Sequence, residues 1–124
     1  MSQTATVSLY ERLGRFEGIS RIVDDVMDAH LANPLVRTRF EASKDLDHAR
    51  KMVVQFFCAG CGGPETYTGR DLLATHKGMN VSEQEFLAVV DDVVGALEKN
   101  DIDPTTRGEV IAVLYSLKDQ VIRV

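Results

Sequence analysis

Apolar residues recur every three or four positions along most of the chain, and no stretch alternates strictly as a half-buried strand would. The pattern predicts an all-α domain. Residues 17–32 form the clearest helix, with Ile19, Ile22, Val23, Val26, Met27 and His30 on one face. Asn33-Pro34 ends it, because the residue before proline is pushed out of the helical region. Before this helix, residues 9–13 predict a short turn of helix; after it, residues 36–40 read as a short apolar connection. The polar run from Glu41 to Lys44 then leads to Asp45, a residue suited to cap the next helix. That helix spans 46–61, with Ala49, Met52, Val53, Phe56, Phe57 and Gly60 on its apolar stripe. Gly62-Gly63-Pro64 stops it, since glycine permits a left-handed exit and proline cannot continue the hydrogen-bond ladder.

Residues 70–77 predict a short helix that carries His76 and ends at Gly78. Ser82-Glu83-Gln84-Glu85 has the spacing of a capping box and opens a helix to Lys99, whose buried face holds Phe86, Val89, Val90, Val93, Val94 and Leu97. Asp103-Pro104 supplies a cap and a first-turn proline for a last helix over 105–122, with Val110, Ile111, Val113, Leu114, Leu117 and Val121 facing inward. The organisation is a loosely ordered start over residues 1–8 and one domain over 9–124, without repeats or linkers.

A chain of 124 residues can bury one substantial core without staples. Its 44% hydrophobic and 27% charged residues match a soluble globular protein, and no apolar run approaches the roughly 20 residues of a membrane span. The polar first seven residues lack the pattern of a secretory signal, so a cytoplasmic location is expected. With a net charge of -5 and no basic stripe, neither nucleic acid nor an anionic membrane is an expected partner. The two cysteines stand as Cys58-Ala59-Gly60-Cys61, a spacing open to a redox pair, half of a zinc site, or two small core residues on one helical turn. Packing is the expectation, because free cysteine is among the most buried residue types.

Several local motifs recur together: Tyr10-Glu11-Arg12-Leu13-Gly14, Arg39-Phe40, Phe56-Phe57, Gly62-Gly63-Pro64, Tyr67-Thr68-Gly69-Arg70 and Thr75-His76-Lys77-Gly78. In order and spacing they resemble the group I truncated haemoglobins, over nearly the whole chain. The resemblance implies a two-over-two helical sandwich around a b-type haem (iron protoporphyrin IX), with His76 as the proximal iron ligand and Phe40 packed on the porphyrin face. The residues themselves agree: a short helix between two glycine-containing breaks can aim one imidazole into a pocket, and imidazole is a common axial ligand. Arg50 and Tyr67 stand near the expected haem edge, where they would meet the propionates, and Phe57 lies on the stripe facing the pocket.

On the opposite side of the iron the chain departs from the family. Group I members resemble one another in a tyrosine on the second helix, usually helped by a glutamine, that donates a hydrogen bond to the oxygen ligand. Met27 stands at the tyrosine position, and Ala49 and Val53 at the glutamine positions. None of the three can donate such a bond. The expected distal pocket is therefore mostly apolar, better suited to nitric oxide and carbon monoxide than to tightly held oxygen. Nitric oxide dioxygenation, the activity the resemblance suggests, is weakened for the same reason.

Met52 shares the stripe with Ala49 and Val53, so its thioether is an alternative distal ligand as well as an apolar filler. His48 is the second alternative: the link from Phe40 to Gly62 is one residue longer than usual, and although the extra residue is placed before Lys44, a different placement would swing His48 into the distal position. A His/Met or His/His axial pair would make an electron-transfer protein with a reductase or redox partner instead of a gas binder. A third alternative is a haem-free helical interaction module. His30, on an apolar face where the family usually has an aliphatic residue, is expected to be a hydrogen-bonded core histidine.

Overall fold

The computed structural model describes residues 7–41 and 45–124. Among these residues are seven α-helices, which we number α1 (Leu9–Arg12), α2 (Arg15–Ala32), α3 (Arg37–Glu41), α4 (Leu46–Gly60), α5 (Leu72–His76), α6 (Glu83–Lys99) and α7 (Pro104–Ser116), followed by a 3-10 turn at Lys118–Gln120. The described residues contain no strand beyond one isolated parallel bridge between Val81 and Ile122. None of their helices is long and apolar enough to cross a membrane. The residue inserted before Lys44 and the chain's first six residues lie outside the described segments.

Helix boundaries follow from side chains that satisfy the free N–H groups of each first turn. Ser8, Asp45, Asp71 and Asp103 accept from the backbone N–H of Glu11, His48, Ala74 and Thr106. Ser82 and Glu85 form the full capping box, with Oγ accepting from Glu85 N at 3.1 Å and Oε1 from Ser82 N at 3.0 Å. Gly62 leaves α4 with φ +90.

α2 starts two residues earlier than its apolar pattern suggests. Gly14 and Arg15 both take left-handed backbone conformations, φ +94 and φ +61, and this sharp corner lets the chain enter α2 directly from α1. A Cβ on Gly14 would stand 3.0 Å from the Gly18 Cα, so both conformation and space call for glycine there.

α2 is the central helix. Ile19, Ile22, Val23, Val26 and Met27 join Val54 and Cys58 of α4 and Val93, Ala96 and Leu97 of α6 in one buried cluster. Each fully buried aliphatic side chain contributes on the order of 1.5–3 kcal/mol. Contacts of α2 with α4 and α6, and of α6 with α7, assemble the two helix pairs of a two-over-two sandwich. Cys58 and Cys61 are free and buried, 0% and 7% exposed, as small core side chains are. Burial pushes both thiols up to about 11.

Three local expectations are corrected. The connection expected at 36–40 is a helical turn, α3, which is too short to show a 3.6-residue period; Arg37 N donates to Asn33 O at 2.8 Å to start it. On α4 the deepest residues are Val54 and Cys58, while Met52, Val53, Phe56 and Phe57 are half-buried and Gly60 is exposed. Val53 and Phe57 pack on the edge of the core, and Phe56, Phe57 and Gly60 border cavities. α7 ends at Ser116, and the following chain tightens into the 3-10 turn so that Ile122 can reach Val81.

Candidate functional site

A cleft of about 200 Å³, open to solvent on one side, lies between α3, α4, α5, α6, α7 and the segment after α7. Its wall is almost wholly apolar, with Phe40 from α3, Phe56 from α4, Leu72 from α5, Phe86 from α6 and Leu117 after α7, and His76 projects from α5 among them.

The orientation of His76 is set by its own helix. Its Nδ1 lies 2.8 Å from the Leu72 carbonyl oxygen. A carbonyl can only accept, so Nδ1 carries the proton, and in the neutral ring Nε2 is the nitrogen with a lone pair for an electrophile. Asp71 caps the helix, and Lys77 N donates to Leu73 O at 2.8 Å, which keeps the five-residue turn closed around the imidazole. Beyond His76 the chain is held by the C-terminal segment: Gly78 N donates to Val124 O and Arg123 N to Val81 O, both at 3.0 Å, and Arg123 Nη1 to Asn80 Oδ1 at 2.9 Å. Val121 of the same segment lines the cleft.

Two polar groups sit in this wall besides His76. Arg39 grips Glu85 in a two-point ion pair, Nε to Oε2 at 2.7 Å and Nη2 to Oε1 at 3.1 Å, which joins α3 to α6. The Arg39 guanidinium, helped by the Ser82 N–H, holds the Glu85 carboxyl down at about 2. Behind the wall, His30 is buried and stacks on Phe40 with ring centroids 4.9 Å apart.

Of the residues singled out from sequence, Phe40 and His76 come together in the cleft. Met27 is buried in the main core cluster, and Val53 and Phe57 pack against that cluster from α4. Phe57 and Cys61 also line a smaller void between α4 and α7. Ala49 and Met52 are half-buried on α4, whereas His48 is exposed in its first turn. Arg50 pairs with Asp24 at 2.8 Å. Tyr67 packs edge-on to Phe56 at 5.4 Å and donates to Arg70 O at 2.6 Å. Sequence reasoning missed Arg39, Met79 and Glu85 as wall residues and treated Phe86, Leu114 and Leu117 as ordinary core. The Arg39 and Glu85 pairing spans 46 positions, so no local pattern announces it.

The chain matches the family model of the bacterial-like globins over residues 8–123. It is 27% identical over 115 residues to the group 1 truncated hemoglobin of Tetrahymena pyriformis, covering 92% of this chain and 94% of that protein. It is 25% identical over 114 residues to the group 1 truncated hemoglobin of Mycolicibacterium paratuberculosis, covering 92% and 83%. The crystal structure of the Tetrahymena pyriformis truncated hemoglobin in its Fe(III) form superposes with a TM-score of 0.90 at 25% identity, covering 94% of this chain and 99% of that one. With the family model spanning nearly every described residue, and the helical sandwich reproduced in a solved relative, this chain belongs to the bacterial-like globin family and is similar throughout its length to group 1 truncated haemoglobins.

Proposed function

We propose that this globin holds a b-type haem in the cleft, with His76 Nε2 as the axial ligand, and binds small diatomic gases on the opposite side of the iron. Haem held there would supply an iron centre able to bind a diatomic gas. The observation that carries the proposal is the His76 geometry: a ring whose Nδ1 is committed to Leu72 O, whose Nε2 is left as a lone-pair donor, and which stands in the wall of an apolar, aromatic-lined cleft. The hydrogen bond fixes the tautomer and raises the basicity of the coordinating nitrogen. Phe40, Phe56, Phe86 and Leu117 supply flat or branched apolar surface and exclude water.

Met27, Ala49 and Val53 offer no hydrogen-bond donor at the positions where group I members carry tyrosine and glutamine. Nitric oxide and carbon monoxide depend less on such donors than oxygen does, so they are the proposed preferred ligands. The test is to add haem to the purified protein and record absorption spectra in both oxidation states, with and without carbon monoxide, for the parent and His76→Gly. The parent should take up haem stoichiometrically; His76→Gly should lose it quickly to a scavenger and recover its spectrum with added imidazole. Unchanged retention and spectrum in His76→Gly would overturn the assignment.

A further inference from the structure

His30 is only 4% exposed, yet it is not an isolated core polar group. Its Nδ1 lies 2.7 Å from Asp92 Oδ2 on α6, and the same carboxylate receives the Asn33 side-chain amide at 3.2 and 3.3 Å. Asn33 follows α2, so these bonds tie the end of that helix to α6. On its flat face the imidazole stacks on Phe40, centroids 4.9 Å apart and planes inclined by 23°. Phe40 in turn presents a face of the cleft that holds His76, whereas His30 itself is not part of the wall. An aliphatic residue would fill the space without the cost of desolvating an imidazole. What the imidazole adds is direction, because a hydrogen bond fixes the ring plane in a way dispersion contacts do not.

We infer that His30 is the positioning residue for Phe40: anchored by Asp92 and Asn33, it sets the plane of the aromatic ring that walls the cleft, and a proton taken up by His30 is felt at that ring. On protonation a cation would lie against the Phe40 face and the bond to the Asp92 carboxylate would become an ion pair, both of which change the stacking. The charged groups around the imidazole are few. Asp92 of α6 bonds to it directly, and on α3 the guanidinium of Arg39, next in sequence to Phe40, is turned onto Glu85. No charged group of α4 among the described residues acts on it, and on its own helix Asp28 is exposed. Burial pulls the imidazole below its usual 6.5 more than Asp92 pushes it up.

The effect on the prosthetic group rests on the haem proposal above, but the coupling of the two rings does not, and the experiment separates them. The ring-proton resonances of His30 and Phe40 are followed by NMR from pH 7.5 to pH 4.5 in the full chain, without haem and in its haem-loaded carbon monoxide form. Both rings should titrate with one common midpoint below 6.5. Asp92→Asn, which removes the opposing charge, should lower that midpoint by about one pH unit. In His30→Leu the Phe40 titration should vanish, and haem loss to a scavenger, which in the parent should show a step at the same midpoint, should lose that step and keep only the pH dependence of the axial ligation itself. Phe40 resonances indifferent to His30 protonation, or an unchanged haem-loss profile in His30→Leu, would overturn the inference. If His30→Leu does not fold, Asp92→Asn decides, since a midpoint that stays put in that variant also overturns it. A parent that retains no haem while its two rings titrate together would sink the haem proposal and leave the positioning role standing.

Discussion

Replacing Glu85 with glutamine removes the charge that Arg39 grips while keeping an amide oxygen that can accept the Ser82 N–H, so the ion pair is tested apart from the helix cap. The Glu85 carboxyl is held at about 2 against an ordinary value of 4.5. At ~1.36 kcal/mol per pH unit, that difference sets a ceiling of about 3.4 kcal/mol on the stabilisation at neutral pH. The Arg39 and Glu85 side chains are 31% and 18% exposed, so solvent screens part of it, and the capping bond to Ser82 survives the substitution. A loss of about 1.5 kcal/mol is expected at pH 7. Because the folded-state value is depressed, the stabilisation is fully present above 4.5 and is lost as pH falls from there toward about 2. By pH 3 roughly 40% of it remains. Urea denaturation of parent and Glu85→Gln at pH 7 and pH 3 should therefore give a difference that shrinks by more than half at the lower pH. A difference that is the same at both would show that the substitution acts through packing or the cap and that the charge contributes nothing.

Arg15 occupies a left-handed conformation, φ +61, that costs an L-residue with a side chain about 1–2 kcal/mol, and its ion pair with Glu11 is exposed and contributes little. Arg15→Gly should therefore raise stability by about 0.5–1 kcal/mol, read as a higher urea midpoint with unchanged slope. Cys58 and Cys61, buried with thiols near 11, should resist alkylation by a maleimide at pH 7.5 in the folded chain and react promptly in denaturant; fast labelling of the folded protein would contradict the packing role.

The long helices were legible because their information is local. α2 and α6 announce themselves by a 3.6-residue stripe and, for α6, by a capping box whose two halves lie three residues apart. Phe40 and His76 were legible for a different reason, a resemblance in the order of motifs, and the structure places both in one cleft. Features that depend on distant partners were not. The pairing of Arg39 with Glu85 and of His30 with Asp92 joins residues 46 and 62 positions apart, and neither carboxylate differs locally from a solvated one. α7 was overextended because its apolar spacing continues past Ser116, whereas the backbone there changes to a 3-10 turn to meet Val81. The α4 stripe was misplaced by a residue or two because half-exposed cavity walls and fully buried cores select the same apolar side chains.

The bonds from Gly78 to Val124 and from Val81 to Arg123 give the site an order of assembly on the ribosome. His76 leaves the exit tunnel some 40 residues before the segment that closes the wall beside it, and Leu117 and Val121 emerge with that segment. A growing chain can build α2, α4 and most of the core while the side of the cleft that carries the imidazole stays open to water. Stable capture of a large flat ligand therefore has to wait until residues 117–124 are in place.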